Sequence, residues 1–225
     1  MKLETIGRQP AATPPQLEIQ ALRRVLNAGS GPLTSRQLHR LFRDNPWREV
    51  RLDIDPQAQP DVVGTISDMS AVLPSRSFDA VWSSHSLEHL HNHEVPLALA
   101  EFRRVLRPDG FALITSPDLE AVAACLLEHG PDHVAYTSSM GPITPQDMLF
   151  GHARSIALGM PYMAHNTGFT CASLGQRLLE AGFPVILAKR ERFDLWALAL
   201  MEKADKAVVQ RQLEAAGLDM SDEAA

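Results

Sequence analysis

The stretch Val25-Leu26-Asn27-Ala28-Gly29-Ser30-Gly31 decides the fold. An apolar run breaks into Gly-Ser-Gly, and a helical pattern follows from Thr34. Glycines at such a turn let backbone N–H groups approach a ligand closely, because no Cβ atom stands in the way. The stretch therefore predicts a β-strand with a ligand-binding turn at its carboxyl end.

A second short strand ends in acidic residues about twenty residues later, the spacing typical of a dinucleotide fold. Residues 49–56 read Glu-Val-Arg-Leu-Asp-Ile-Asp-Pro. A carboxylate at the end of this strand can accept hydrogen bonds from ribose hydroxyls, so the pair of features favours an adenosine-containing ligand. Asp53 is the first candidate for this acid. Asp55 is the alternative if the strand runs two residues longer.

Short apolar runs alternate with helical patterns along the rest of the chain. This order predicts an α/β domain, a mainly parallel sheet covered on both faces by helices. Further strands are predicted at 62–68, 77–85 and 111–115, and a closing hairpin at 184–187 and 195–201 with its turn near 191–194. Helices are predicted through Val95, Leu99, Phe102 and Leu106, from Asp118 to Gly130, and from Thr170 through Leu174 and Leu178.

The composition divides the chain into three regions. Residues 1–20 contain several prolines and are expected to form an N-terminal arm, and 21–202 form the domain. Within the domain, 131–168 is too long for a plain connector and contains prolines, glycines, histidines and methionines, which predicts a helical lid or substrate-covering insertion. Residues 203–225 are acidic and are expected to form a C-terminal tail that is either a loose helix or disordered.

The series of motifs resembles the class I S-adenosylmethionine-dependent methyltransferases, especially the small-molecule, type 11-like branch. The resemblance covers roughly residues 20–202. It rests on the glycine turn, the Phe78-Asp79-Ala80-Val81 strand continuing to Leu87-Glu88-His89, and the turn Arg107-Pro108-Asp109-Gly110. It implies a Rossmann-like sheet of seven strands, with one antiparallel strand placed inside the sheet and an insertion between strands 5 and 6.

The resemblance also implies the cofactor and its contacts. S-adenosylmethionine would lie at the carboxyl ends of the strands, with S-adenosylhomocysteine as the product. Many relatives carry an acid at the position of Thr65 that accepts from the adenine amino group, and here Asp68 is the only nearby substitute. The cofactor-binding candidates are Asn27, Ala28, Gly29, Ser30, Gly31, Asp53, Ile54, Thr65, Ile66, Ser67, Ser83, Ser84 and His85.

Methyl transfer from a sulfonium requires mainly alignment and exclusion of water, with a base only where the acceptor must lose a proton. His85 is the first candidate for this base and His165 the second, because neutral histidine accepts a proton near pH 7. A subgroup of relatives has a Gly-His segment and a later Met-Ala-His-x-Thr-Gly-Phe-Thr segment, which Gly151-His152 and 163–170 match. The substrate-binding candidates are His152, His165 and Asn166.

Two interpretations of the histidines remain open. On a helix, His85 and His89 would share one face at i, i+4, with Glu88 alongside, which is a usable metal-ligand pair. Leu-Glu-His recurs at this place in methyltransferases without a metal, so no metal site is predicted. Each of His85, His152 and His165 can equally be a structural residue that only shapes its pocket or anchors the insertion.

The composition limits the kinds of molecule that the protein is expected to bind. The net charge of −6 argues against a broad nucleic-acid-binding face. Two cysteines, no signal-peptide pattern and no long apolar run favour a cytoplasmic protein without a membrane segment. The expected function is methyl transfer to an oxygen, nitrogen or carbon nucleophile of a small molecule. The alternative is a non-catalytic module that binds the cofactor or a protein partner, and the oligomeric state, a homodimer included, stays open.

A nucleotide-dependent oxidoreductase is disfavoured. The turn at Gly29-Ser30-Gly31 lacks the third glycine of the dinucleotide fingerprint. No Asn-Pro-Pro-Tyr motif follows the fourth strand, which argues against amino methylation of nucleobases or protein amides.

Overall fold

A computed structural model describes residues 22–33, 38–43, 46–138 and 140–221. Within these ranges, seven strands form one sheet in the order β3-β2-β1-β4-β5-β9-β8, and β6 pairs with β7 in a separate hairpin. The strands are β1 Arg23–Ala28, β2 Trp47–Asp53, β3 Val62–Val63, β4 Phe78–Ser84, β5 Leu106–Pro117, β6 Tyr136–Ser138, β7 Gly141–Ile143, β8 Val185–Glu191 and β9 Asp194–Leu200.

The topology confirms the predicted fold class. Strands β1 to β5 pair in parallel, whereas β9 lies antiparallel between β5 and β8. The strand order reverses between β1 and β4. At such a point the connections diverge to opposite sides and leave a crevice beyond the carboxyl ends of the strands, which is the usual ligand site of an open α/β sheet.

Six α-helices are present in the described residues. Several begin as the sequence predicts, because polar side chains cap their first turn: Asp118 accepts from the N–H of Glu120, and Thr170 and Ser173 form a capping box. The helices are α1 Val95–Val105, α2 Leu119–His129, α3 Pro145–Phe150, α4 Ala153–Ala157, α5 Cys171–Glu180 and α6 Lys206–Ala215.

The sheet separates two apolar clusters. One cluster joins α1 and α5 to the sheet through Leu99, Phe102 and Leu174. The other contains Trp82 and Phe111 of the sheet together with residues of α6 and the 3₁₀ turn at Arg40–Phe42. The helix expected from Thr34 through Leu38, Leu41 and Phe42 begins at 34–37, which lie outside the described residues, and its second part contains the 3₁₀ turn Arg40–Phe42.

The predicted turn at Arg107-Pro108-Asp109-Gly110 is a bulge inside β5. The register passes from Phe78 opposite Leu106 to Ala80 opposite Phe111, so the four motif residues face Asp79 alone. The carboxylate of Asp79 accepts from the guanidinium of Arg107 at 2.8 Å and from the N–H of Arg24 at 2.7 Å. The motif therefore holds the starts of three neighbouring strands together, and the expectation of a free turn is wrong.

The insertion at 131–168 carries the β6–β7 hairpin, α3, α4 and a 3₁₀ turn at Pro161–Met163. It lies between β5 and β8, which are the fifth and sixth main-sheet strands along the chain. Gly151 has φ +93°, and a Cβ there would overlap the carbonyl oxygen of Met163. The glycine of the Gly-His segment therefore lets two parts of the insertion pair, with Gly151 bridged to Ala164.

The C-terminal region is not a loose tail over the residues described. Val209 and Leu213 of α6, with Leu218 and Met220 after it, are buried in the second apolar cluster. The acidic composition concealed this, because the apolar residues of α6 are few and spaced along one face. No helix in the described ranges has the length and apolar character needed to span a bilayer.

Candidate functional site

The glycine turn leaves β1 at the crevice between β1 and β4. Gly29 and Gly31 have φ +77° and +60°, the left-handed region that glycine adopts without strain. The N–H groups of Gly29 and Ser30 both donate to the carbonyl oxygen of Leu52, at 2.9 and 3.0 Å. The turn is thus fixed to β2 by its own backbone.

Asp53 is the last residue of β2, and its buried carboxylate faces the glycine turn. Its Oδ2 accepts from the N–H of Gly31 at 2.7 Å, and its Oδ1 accepts from the N–H of Asp55 at 2.9 Å. Each oxygen keeps a lone pair, since a carboxylate oxygen accepts two hydrogen bonds. Asp55 instead caps the next turn by accepting from Gln57. The geometry therefore favours Asp53 over Asp55 as the acid of the crevice.

Ile54 follows Asp53 and is 47% exposed. An apolar side chain beside an acid with free lone pairs offers a purine ring an apolar face and its ribose an acceptor. The contact of Ile54 with adenosine stays a prediction.

Arg51 is a part of this region that the sequence analysis did not identify. Its buried guanidinium donates to the carbonyl oxygens of Gly31, Ala58 and Gln59. These hydrogen bonds connect the glycine turn to the segment that follows β2. The only sequence signal was a cationic residue between the two apolar residues Val50 and Leu52 of this strand.

Ser86 occupies the space beside Gly29. A Cβ on Gly29 would overlap the hydroxyl of Ser86, which donates to the carbonyl oxygen of Ala28 at 3.0 Å. The missing side chain of Gly29 therefore makes room for Ser86 rather than for a ligand. Gly31 also has a positive φ, and this left-handed conformation is what the turn requires of it.

The other residues predicted to contact the cofactor differ in burial and in their hydrogen-bond partners. Asn27, Ala28, Ser30, Ile66 and Ser83 are buried, and Asn27 donates to Glu49 at 2.7 Å. The hydroxyls of Thr65 and Ser67 hydrogen-bond each other at 2.8 Å after β3, and Ser84 accepts from Thr115 at 3.1 Å.

His85 follows β4 in an unusual backbone conformation, with φ +49°. A non-glycine residue at positive φ carries strain that is common at functional sites. Its Nδ1 lies 3.2 Å from Oε1 of Glu88, and its Nε2 lies 3.5 Å from Oδ1 of Asp194. Burial lowers the pKa of His85, but the two carboxylates outweigh burial and raise this pKa above its ordinary value.

Glu88 is the centre of a histidine cluster, which consists of Glu88, His85, His89 and His165. Burial raises the pKa of Glu88, but the imidazoles of His85, His89 and His165 more than offset this and lower it. The ring centroids of His89 and His165 are 4.9 Å apart. Burial lowers the pKa of His165, which keeps this imidazole neutral at pH 7. The fold thus brings together both predicted catalytic histidines around one carboxylate.

The other two substrate-binding candidates, Asn166 and His152, make different contacts. Asn166 joins the cluster, because its side chain donates to the carbonyl oxygen of His89 at 2.8 Å. His152 instead hydrogen-bonds Ser155 of α4 at 2.6 Å. His152 therefore has a local structural contact, whereas Asn166 holds the insertion against the residues after β4.

A cavity of about 330 Å³ adjoins His85 at the carboxyl ends of β4 and β5. Its wall combines aromatic and polar side chains, the composition of a small-molecule pocket. It lies beside the C-terminal part of the chain rather than under the insertion. The wall includes His39, Trp82, Ser84, Thr115, Glu191 and Trp196.

Comparison with known proteins agrees with this architecture. Residues 26–114 match the sequence profile of the family described as a methyltransferase domain. This range starts within β1 and ends within β5, and it contains the glycine turn, Asp53 and His85. No curated protein matches the chain.

Three solved structures illustrate the shared fold. A protein from Pyrococcus horikoshii OT3 is 15% identical with a TM-score of 0.52, over 82% of this chain and 84% of that one. A SAM-dependent methyltransferase from Archaeoglobus fulgidus is 16% identical with a TM-score of 0.50, over 79% and 86%. The trans-methyltransferase CalH, solved with SAH, is 18% identical with a TM-score of 0.53, over 80% of this chain and 51% of that one.

Residues 26–114, less than half of the chain, match a methyltransferase domain, and the seven-stranded sheet has the fold of the class I S-adenosylmethionine-dependent methyltransferases. The prediction made from the glycine turn and the two strand motifs is confirmed at this level. S-adenosylmethionine is the cofactor of the class.

Proposed function

We propose that the protein methylates an oxygen, nitrogen or carbon nucleophile of a small molecule. The observation that carries this proposal is the contact between the N–H of Gly31 and the carboxylate of Asp53, at the point where the strand order reverses. A preformed turn beside a buried acid with free lone pairs supports a cofactor site at this crevice. We also propose a cytoplasmic location, which the two unpaired cysteines support.

The residues at the crevice fit the cofactor. Asp53 would accept from the ribose hydroxyls, and Ile54 would contact the purine ring. Thr65 and Ser67 can offer hydroxyls where many relatives have an acid. S-adenosylmethionine supplies an activated methyl group on a sulfonium, whose loss leaves a neutral sulfide. The task of the chain is then to align the acceptor with this group and to exclude water.

His85 is the proposed base for an acceptor that must lose a proton. It lies at the end of β4 with its side chain 42% exposed, so it can contact both the crevice and a small molecule. The carboxylate of Glu88, with Oε1 3.2 Å from Nδ1, stabilises the imidazolium through its charge, and Nε2 would accept the proton. His165 is the second candidate, and it can accept only at Nε2 because its Nδ1 faces the carbonyl oxygen of Met148.

The cavity beside His85 is the proposed acceptor site. The sequence predicted that the acceptor would bind under the insertion at 131–168. This cavity lies elsewhere, because His39, Trp82 and Trp196 line it. Its volume of about 330 Å³ is at the small end of the range for ligand pockets, which favours a small aromatic or heteroaromatic acceptor.

Isothermal titration of the full chain with S-adenosylmethionine and S-adenosylhomocysteine tests the cofactor site. Asp53→Asn should weaken binding about tenfold or more, since a charge-assisted hydrogen bond contributes about 1.5–3 kcal/mol. Asp55→Asn is the matched control and should leave Kd unchanged, because asparagine also caps a helical turn. Equal effects of the two variants would show that Asp53 is not the ribose acid.

A screen of small-molecule acceptors then tests the activity. His85→Gln should lower kcat with the cofactor Kd unchanged for a hydroxyl acceptor. Wild-type protein that binds the cofactor but releases no S-adenosylhomocysteine with any small acceptor would contradict the proposed substrate class.

A further inference from the structure

We propose that Glu88, His89 and His165 bind a divalent first-row transition-metal ion. Each residue offers one ligand atom, and these three atoms lie within 4.8 Å of one another. Ligand atoms around one Zn²⁺ ion, at about 2.1 Å from it, lie roughly 3–4 Å apart. Small side-chain rotations are therefore enough to close the site on an ion.

The carboxylate of Glu88 lacks the hydrogen bonds that its burial requires. Its side chain is 1% exposed, and no group in the described ranges makes a hydrogen bond of acceptable angle to either oxygen. The nearest group is Nδ1 of His85, 3.2 Å from Oε1. A buried carboxylate without hydrogen bonds is costly unless a cation compensates it. A metal ion would supply that cation.

The two imidazoles are in the tautomer that metal binding needs. Nδ1 of His89 lies 3.0 Å from the carbonyl oxygen of Ala164, and Nδ1 of His165 lies 2.9 Å from that of Met148. A carbonyl oxygen only accepts, so each Nδ1 carries the proton and each Nε2 keeps its lone pair. Metal-binding histidines usually donate their second N–H in this way, which fixes the ring.

The backbone around the three residues is also tied together. The N–H groups of Asn166 and Thr167 both donate to the carbonyl oxygen of Glu88, at 2.8 and 3.1 Å. The N–H of His165 donates to the carbonyl oxygen of Phe150 at 3.1 Å. The segment after β4 and the insertion therefore hold the ligands in position before an ion binds, which is how a metal site is preorganised.

The donor set indicates the kind of ion. Two imidazoles and one carboxylate suit Zn²⁺, Fe²⁺ or Co²⁺ better than Mg²⁺ or Ca²⁺, which prefer oxygen ligands. Three protein ligands leave at least one coordination position for water or another small ligand, as in catalytic rather than structural zinc sites. The site shares Glu88 and His165 with the proposed base cluster, so its test measures metal binding rather than methyl transfer.

From the sequence, a metal was considered only for His85 and His89 on a helix, and none was predicted because Leu-Glu-His recurs at this place in methyltransferases without a metal. The structure places Leu87–His89 in a 3₁₀ turn, where the two histidines do not act as an i, i+4 pair. The third ligand comes from the insertion, and Glu88 takes the place of His85. This combination of residues is visible only once the insertion is folded against β4.

Metal titration of the chelator-treated full chain tests the proposal. Co²⁺ is the spectroscopic probe, because its visible absorption reports its coordination, and Zn²⁺ is titrated by calorimetry. We expect one equivalent of each ion to bind, and Zn²⁺ to raise the thermal midpoint of the wild type. Glu88→Gln and His165→Gln should each weaken binding at least tenfold, with His89→Gln as a further variant if one of these fails to fold.

The matched control removes another histidine pair. His129 and His133 have ring centroids 4.4 Å apart at the end of α2, where they can capture an ion adventitiously. The double variant His129→Gln/His133→Gln should keep the Co²⁺ spectrum and the Zn²⁺ affinity. Failure of the wild type to bind either ion, or loss of binding in this control with no loss in Glu88→Gln, would overturn the proposal.

Discussion

Gly29 lies where β1 leaves the sheet, with φ +77° and the hydroxyl of Ser86 in the space that a Cβ would need. Gly29→Ala therefore combines two costs: about 1–2 kcal/mol for a left-handed backbone and about 1–3 kcal/mol for overpacking. We expect the free energy of unfolding to fall by about 2–5 kcal/mol, measured by urea denaturation.

Gly159→Ala is the matched control for this change. Its φ of +89° is similar, but nothing lies within 4 Å of the Cβ position. Only the backbone cost of about 1–2 kcal/mol should remain. Ser86→Gly added to Gly29→Ala should recover the difference between the two sites. Equal losses at Gly29 and Gly159 would contradict the packing account.

His39 is predicted to make stability depend on pH. Burial, followed by the charges of Arg43 and Arg40, lowers the pKa of His39 to about 4. Its Nδ1 accepts from the N–H of Leu41, which only the unprotonated nitrogen can do. Because the folded pKa is lower than the unfolded value near 6.5, the stabilisation is complete above pH 6.5. It is lost as the pH falls towards 4, by at most about 3 kcal/mol.

Urea denaturation between pH 7 and pH 4 measures this effect. His39→Asn keeps a capping acceptor that does not titrate, so its free energy of unfolding should fall less than that of the wild type. His93→Asn, at an exposed histidine, should follow the wild-type profile. A His39→Asn profile parallel to the wild type would show that His39 does not carry the pH dependence.

The place of a residue in the site could be predicted where it depends on a local sequence pattern. Asp53 ends a short strand, and its place facing the glycine turn follows from parallel pairing of β1 and β2. Asp194 and Glu88 could not be assigned in the same way. Asp194 reaches His85 only because the final hairpin enters the sheet antiparallel. The burial of Glu88 depends on contacts with the insertion, which no periodicity in the sequence specifies.

At the scale of elements, helix α6 gives the sharpest test of the structure. Leu213 is fully buried in the second apolar cluster, whereas Val208 on the same helix is 37% exposed. Leu213→Ala should lower the free energy of unfolding by about 2–5 kcal/mol, as for other buried leucines. Val208→Ala should change it by less than about 0.5 kcal/mol. Chemical denaturation of both variants measures this, and two small effects would restore the expectation of a loose tail.

Helices could be predicted wherever the sequence shows a capping residue or a helical period of apolar residues. Asp118 and Gly130 flank α2, and the Thr170 cap begins α5, as the sequence predicts. The bulge at 107–110 was mistaken for a turn, because Pro-Asp-Gly has the composition of a turn and the pairing with Asp79 is long-range. The insertion's short helices lack the length that periodicity needs.

At the scale of the whole molecule, one sheet separates two apolar clusters, and the three tryptophans all belong to the second. Fluorescence therefore reports one face of the sheet, and far-UV circular dichroism reports helices on both. Because β1, β4 and β5 contribute to both clusters, we expect the two thermal transitions to coincide.

The cofactor should stabilise this unit as a whole. S-adenosylhomocysteine at one hundred times its Kd contributes about 2.7 kcal/mol, which corresponds to roughly 5–10 °C for a domain of this size. Both transitions should rise together by this amount. Asp53→Asn at the same ligand concentration should show a smaller rise. A shift confined to one probe would mean that the two faces unfold separately, and that the crevice is coupled to only one of them.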